Sequence, residues 1–464
     1  MSTPKHTINR RQFIGTLGAA AAVTGLAACT HKAEKQTSLN PSKPLSTEPS
    51  SMALRTGVHG EQVSLLGYGC MRWPTIPGAD DQNTNNIDQE AVNRLVDHAL
   101  AHGVNYFDTS PVYHKGFSED ATGIALARHP RESYYIATKL SNFSPDNWSL
   151  EASKQMYYTS LRKLKTNYID FYLLHSIGGG GMENLHNRYL DSGILDFLLA
   201  EREAGRIRNL GFSYHGDIEC FDYLLSQHDK YHWDFVQIQM NYVDMHYAKL
   251  INKRNTDASY LYAELDKRGI PAVIMEPLLG GRLASLTPHE NELLKQHEPQ
   301  RSIASWAFRF CGTYPNVLTI LSGMTYMEHL QDNLHTFAPF TPLTDDELLL
   351  LENIAHEYAN FPLIPCTGCQ YCMPCPYGLD IPGTFLHYNK MLNEGEVNDN
   401  PESADYHRLR RKYLTTYTRL VARERQADHC IGCDQCKPHC PQRIDIPKQM
   451  QRIDRFVGQL REDV

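Results

Sequence analysis

Four strand-like runs in this sequence end in a side chain that could do chemistry. NYFD closes on Asp108, with Tyr113 following in the next loop; YYIATK closes on Lys139, IDFYLLH on His175 and IRNLGFS on Ser213. A phenol can protonate a developing alkoxide, but with an ordinary pKa near 10 it is sluggish at neutral pH. A buried ammonium beside it favours phenolate and makes it a better acid. A second chemistry lies near the C-terminus. Of twelve cysteines, Cys29, Cys70, Cys220 and Cys311 are scattered, while Cys366, Cys369, Cys372, Cys375 and Cys430, Cys433, Cys436, Cys440 form two dense runs. Clustering of that kind means ligation rather than disulfide stapling.

The elements that must carry these groups follow from hydrophobic periodicity. From Met52 a hairpin turning at His59-Gly60 leads into a first buried strand near Val63 to Gly67. Strands at 104–107, 134–139, 169–174, 207–213, 235–240, 271–276 and 317–322 then alternate with helices at 88–102, 118–128, 150–164, 189–204, 217–227, 257–268, 301–311 and 327–336. Eight strand–helix units predict a closed α/β fold, the (β/α)8 TIM barrel, whose sites form at the C-terminal strand ends. An open doubly wound sheet would want a glycine-rich loop after its first strand, and the sequence has none there. Gly178 to Gly181 reads as a flexible loop beside the mouth, with Trp73, Trp148 and residues 178–188 as walls by position. Taken singly each candidate has an ordinary reading: a tyrosine that packs, a lysine that snorkels, an Asp-Thr-Ser string that caps a helix. Order, spacing and strand placement together favour a site.

Asp108, Tyr113, Lys139 and His175, in that order and at those strand ends, resemble the catalytic tetrad of the aldo-keto reductases. The resemblance implies that Tyr113 is the proton donor, that Lys139 lowers its pKa, that Asp108 holds Lys139, and that His175 bonds the substrate oxygen. It also implies NAD(P)H. Ser213 and Gln239 resemble the pair that holds the nicotinamide carboxamide, and Glu276 to Gly281, including Leu278 and Gly280, resembles the loop over the pyrophosphate. Met275 stands where many members stack a tyrosine, and Tyr214 where they carry an asparagine. Gly323, His329, Asp332 and Asn333 fall in the segment around the adenosine. Gly323 and His329 replace the cations that many members use for the 2′-phosphate, which implies relaxed or NAD-leaning specificity.

The second cysteine run, C-x2-C-x2-C-x3-C-P, is the bacterial ferredoxin pattern for a [4Fe–4S] cluster; the first has two residues before its fourth cysteine. Because three close thiolates wrap one face of a cubane and the fourth often comes from the other run, we expect two clusters with crossed ligands. Cys366, Cys369 and Cys372 would join Cys440, and Cys430, Cys433 and Cys436 would join Cys375. Zinc is the lesser alternative, since its sites rarely use eight cysteines in a three-plus-one layout. GLDIP and RIDIP after the two runs mark an internal repeat, and 387–428 reads as helical, so a mainly α-helical ferredoxin-like domain is expected. From Met52 onward the chain is similar to an aldo-keto reductase subfamily with such a C-terminal domain.

A net charge of −8 argues against nucleic acid as a partner. The basic stretch Arg408 to Arg425 reads as a solvated face, with anionic lipid or a redox partner as the other reading. Arg10-Arg11 before a short apolar run resembles a twin-arginine export signal, and Leu26-Ala27-Ala28-Cys29 a lipobox. The expected organisation is therefore signal 1–29, linker 30–51, barrel 52–343 and iron–sulfur domain 344–464, in an exported periplasmic or membrane-anchored lipoprotein touching the membrane only by its lipid. The function expected is hydride exchange between a nicotinamide and a small carbonyl or alcohol, coupled to electron transfer through the clusters. A redox partner protein would accept or supply those electrons. The other reading is a non-catalytic electron-transfer or redox-sensing protein whose barrel serves as a docking body.

Overall fold

Alternation along the strands explains both the architecture and the placement of the reactive groups. The computed structural model describes residues 51–76, 85–359, 363–398 and 400–462. The signal, the lipobox Cys29 and nearly all of the linker lie outside the described residues. Strands β1 (Leu54–Thr56) and β2 (Gln62–Ser64) form the expected antiparallel hairpin. Eight parallel strands then close a barrel: β3 (Leu66–Gly69), β4 (Tyr106–Asp108), β5 (Tyr135–Leu140), β6 (Ile169–Ile177), β7 (Ile207–Tyr214), β8 (Phe235–Gln239), β9 (Ala272–Met275) and β10 (Val317–Ser322). Strand β10 pairs with β3 to complete the ring.

Successive residues of a strand face opposite sides, so one parity fills the interior and the other meets the surrounding helices. Val63, Tyr106, Ala137, Phe171, Leu173, Phe235, Val273 and Leu318 form the inner core. Phe107, Ile136, Tyr172 and Leu174 belong to the outer core with the helices. Both faces are buried, which is why the strands read as near-continuous apolar runs. The inner parity continues from Tyr106 to Asp108, from Ala137 to Lys139 and from Leu173 to His175. Those three groups therefore point into the barrel at its C-terminal rim.

The helices carry their own start signals. Asp88 accepts from the Ala91 backbone N–H at 2.9 Å to open the helix Gln89–Ala101, whose Val92, Leu95, Val96 and Ala99 are buried. Ser149 and Ser302 cap Leu150–Lys163 and Ile303–Thr313 in the same way. Within the barrel, Asp244–Ile251 and Pro288–His297 come in addition to the expected set, as do the short helices Gly181–Leu185 and His228–Tyr231.

The helix Asp345–Ala359 packs Leu351, Ile354, Ala355 and Tyr358 into the barrel core. A separate core begins at Ile364 and includes Leu379, Phe385, Tyr413, Tyr417, Met450, Ile453 and Val457. By packing, the division thus falls after this helix, whereas the sequence put it at 343/344. The C-terminal region is built on helices Ile381–Asn393, Tyr406–Leu420 and Ile446–Glu462. The helix expected over 387–428 is two helices, and the last was not anticipated. Within the basic stretch 408–425, Lys412 pairs with Glu396, and Arg423 with Asp428 at 2.5 Å. Among the described residues no helix is long and apolar enough to cross a membrane.

Candidate active site and cysteine cradle

At the rim, the Lys139 Nζ donates to Asp108 Oδ1 at 2.6 Å and to the Thr109 carbonyl at 2.8 Å. Lys139 is fully buried and Asp108 is 2% exposed, so the pair is an internal salt bridge. Its geometry has to offset a large desolvation cost. Tyr113 opens the short turn Tyr113–Gly116, in which His114 and Lys115 adopt left-handed φ of 47° and 54°. Lys139 Nζ lies 5.0 Å from the centre of the Tyr113 ring, within cation–π range. The Tyr113 ring meets His175 edge to face at 6.3 Å.

The structure differs from the sequence expectation in one electrostatic respect. Burial pushes the Tyr113 phenol well above 10, with Tyr371, Asp108 and Glu276 adding to it. The ammonium expected to lower it is engaged by Asp108 and a backbone carbonyl and stands over the ring face. Tyr113 is therefore held as a neutral acid. Burial, Lys139 and His215 drive His175 well below 6.5, so this imidazole is neutral at pH 7.

Sequence reasoning missed the groups that hold His175. Its Nδ1 lies 2.5 Å from Ser141 Oγ, and Ser141 in turn lies 2.9 Å from Ser110 Oγ. Arg188 and Tyr189 donate to the His175 carbonyl at 2.6 and 3.0 Å. A signal was present: Ser110 and Ser141 each follow a candidate by two residues, Asp108 and Lys139, in the same strand–loop unit.

A cavity of about 1200 Å³ opens over this rim. Tyr113, Trp73, His114, His215 and Arg188 line its barrel side, with Gly179, Gly180 and Asn184 from the glycine-rich loop. Trp148 is not part of this lining; its indole donates to the Asn142 carbonyl at 3.0 Å. The opposite wall comes from the C-terminal region and includes Cys369, Tyr371 and Cys440.

The residues expected to hold the dinucleotide are arranged otherwise. Ser213 Oγ accepts from the Ser176 N–H at 2.9 Å, and Gln239 Nε2 donates to Asp244 at 2.6 Å. Asn333 donates to Ser322 Oγ at 2.9 Å, while Gly323 and His329 are exposed and Asp332 is half-buried. The Leu278–Gly280 turn is overlaid by Thr367: a Cβ on Gly280 would sit 2.4 Å from the Thr367 Cα. Ser213, Gln239, Leu278, Gly280, Gly323, His329, Asp332 and Asn333 are all absent from the cavity lining. With Thr367 seated on the Leu278–Gly280 turn, the surface expected to hold the pyrophosphate is covered.

The cysteines fall into two groups. Cys366, Cys369 and Cys372 interact electrostatically with one another and with Cys440. Cys430 and Cys436 interact with Cys433 and with Cys375. Burial, with the neighbouring thiols adding, pushes Cys369 up to about 12. Four thiolates gathered around one centre oppose one another, which a cationic iron cube relieves. A cavity of about 230 Å³ lies among Cys372, Cys375, Cys430, Cys433 and Cys436. Gly368 and Gly432, both at positive φ, offer their N–H to the sulfurs of Cys366 and Cys430, a pseudo-repeat of the cradle. Among the described residues no three His, Cys, Asp or Glu groups converge on a single ion. A cubane takes one thiolate at each iron corner, which the four cysteines of each group can supply.

Residues 65–356 match the description "Aldo/keto reductase family", and residues 365–444 match "4Fe-4S dicluster domain". The uncharacterized oxidoreductase YqkF of Bacillus subtilis is 24% identical over 64% of this chain and 95% of its own. L-galactose dehydrogenase of Arabidopsis thaliana is 23% identical over 64% of this chain and 91% of its own. A probable aldo-keto reductase of Glycine max reaches 33% identity, but over only 28% of this chain and 38% of its own. Among solved structures, the holo form of an aldo-keto reductase from Bacillus halodurans superposes with a TM-score of 0.51 at 23% identity. It covers 65% of this chain and 96% of that one. An aldo-keto reductase from Klebsiella pneumoniae, solved with NADPH, gives 0.51 at 20%, covering 66% and 96%.

Proposed function

Because the chain belongs to the aldo/keto reductase family of NAD(P)-dependent oxidoreductases, we propose that its barrel exchanges hydride between a nicotinamide and a small carbonyl or alcohol, coupled to electron transfer through two [4Fe–4S] clusters. The observation that carries this reading is the buried Lys139–Asp108 pair, 2.6 Å apart, under the ring of Tyr113 at the barrel mouth.

Tyr113 delivers a proton to the substrate oxygen in reduction and takes it back in oxidation. Lys139 keeps its positive charge over the face of the phenol ring, where it offsets part of what burial costs the phenolate left after proton donation. Asp108 fixes that ammonium. Ser141 Oγ meets Nδ1 of the neutral His175; the tautomer in which Ser141 donates leaves the proton on Nε2, free to orient the substrate oxygen. Cys366, Cys369, Cys372 and Cys440 hold one cluster, and Cys375, Cys430, Cys433 and Cys436 the other; the clusters supply or accept single electrons and connect the protein to a redox partner. The nicotinamide end falls to Ser213 and Gln239, the pyrophosphate to Leu278 and Gly280, and the adenosine to Gly323, His329, Asp332 and Asn333. Without fixed cations at Gly323 and His329, NADH serves at least as well as NADPH. The N-terminus directs twin-arginine export and lipid attachment at Cys29, which membrane fractionation of wild type and Cys29→Ala tests.

The decisive experiment is anaerobic purification with iron and sulfide analysis, followed by assay against a panel of small aldehydes, ketones and alcohols with both nucleotides. Turnover of at least one class is expected. A cluster-loaded protein that turns over none of them with either nucleotide overturns the reading.

A further inference from the structure

The loop that carries the first three cysteines lies on the surface assigned above to the cofactor. Thr367, in that loop, is only 3% exposed. Its Cα and carbonyl oxygen lie 2.4 and 2.8 Å from where a Cβ of Gly280 would be, so two backbones touch where a pyrophosphate would have to lie. Arg72 fastens the contact. Its guanidinium donates to the Thr367 carbonyl, and its aliphatic stem lies over Gly323, with Cδ 3.0 Å from an added Cβ there. Arg72 also approaches Gly368, whose added Cβ would be 3.7 Å from Nη1. One side chain thus ties the loop after β3, the loop after β10 and the cluster loop together. Tyr113 stays open to a cavity whose far wall includes Cys369 and Cys440.

We propose that docking of the cluster loop Cys366–Cys372 and binding of a nicotinamide dinucleotide are mutually exclusive, so that the iron–sulfur domain gates the cofactor surface of the barrel. The proposal rests on the reading that Leu278 to Gly280 and Gly323 form that surface. With the loop docked, the rim faces the cluster side of the cavity; with the loop lifted, the groove over Gly280 and Gly323 is free for a nucleotide. Linkage then runs in both directions: whatever fastens the loop weakens nucleotide binding, and bound nucleotide releases the loop.

The test uses the full-length, cluster-loaded protein under anaerobic conditions. NADH and NADPH are titrated by equilibrium dialysis into wild type and into Arg72→Ala. Hydrogen exchange of residues 364–372 is measured in wild type with and without nucleotide. We expect Arg72→Ala to bind nucleotide about tenfold tighter, within the range usual for coupled sites, and exchange in 364–372 to speed up when nucleotide binds. Equal or weaker binding by Arg72→Ala, or exchange slowed by nucleotide, overturns the gate while leaving the cofactor surface assigned. If neither protein binds either nucleotide, the surface assignment fails and takes the gate with it. The exchange measurement needs no substitution, so it decides the question even if Arg72→Ala folds poorly.

Discussion

Lys139 is the residue on which the rim balances, because removing it strands a buried carboxylate. Asp108 Oδ2 already has no hydrogen-bond partner among the described residues, and burial raises the Asp108 pKa against the pull of Lys139. Breaking a buried pair by deleting one partner costs about 3–5 kcal/mol. Lys139→Met should therefore lower the unfolding free energy in urea by about that much. Asp108→Asn added to Lys139→Met should recover part of the loss. Tyr113 makes a pH prediction whose sign follows from its raised pKa. Reduction needs the protonated phenol, which is present throughout from about pH 6 to 9 when the pKa lies well above 10. The kcat/KM for carbonyl reduction should then show no Tyr113 limb in that range. Alcohol oxidation needs phenolate and should rise with pH across the same range; a fall in reduction centred near neutrality would contradict this. The identity of the rim residues was legible in the sequence because strand parity alone aims Asp108, Lys139 and His175 inward. The direction of the Tyr113 shift was not, since it depends on which acceptors claim the Lys139 ammonium and on Tyr371, distant in sequence.

At the scale of elements, the packing of neighbouring helices turns on Gly123 in the helix Ser118–Leu126. A Cβ there would meet the Lys163 carbonyl at 2.3 Å and the Leu164 Cα at 2.7 Å, both backbone atoms at the end of the next helix. Alanine gains about 1 kcal/mol of helix propensity over glycine, but overpacking against backbone costs about 1–3 kcal/mol. Gly123→Ala should therefore be net destabilising, by about 1–2 kcal/mol, in thermal or urea unfolding. A stabilised variant would show that the two helices separate easily. The strand–helix alternation was readable to within a few residues for every barrel strand, because doubly buried strands and capped amphipathic helices leave strong patterns. The helix Pro288–His297 was missed although its signal was present: Thr287 and Glu290 form a capping box with Pro288 at the first position. The helix Asp244–Ile251 gave less warning, since its N-cap residue is Val243, with Asn241 two positions earlier accepting from its first N–H groups, and Tyr247 breaks its regularity.

At the scale of the molecule, the crossed cysteine groups make a prediction that local ligation does not. If Cys366 and Cys440 share a cluster, the double variant Cys366→Ala/Cys440→Ala should lose one cluster and retain the other, taking iron from about eight to about four per chain. Ligation within each run would place the two substitutions in different clusters and damage both. Iron and sulfide analysis of anaerobic preparations separates the outcomes. The cysteine spacing carries the expectation of crossing, but the seating of the cluster loop on the barrel mouth was not legible, because it depends on a contact between Arg72 and Thr367, 295 positions apart. The account as a whole rests on one phenol. Tyr113→Phe keeps the ring against Lys139 and His175 and removes the proton. In the cluster-loaded protein it should cut carbonyl reduction by at least about 100-fold and leave both cluster reduction potentials unchanged; a variant that reduces carbonyls at the wild-type rate would contradict the assignment of the barrel rim as the catalytic site.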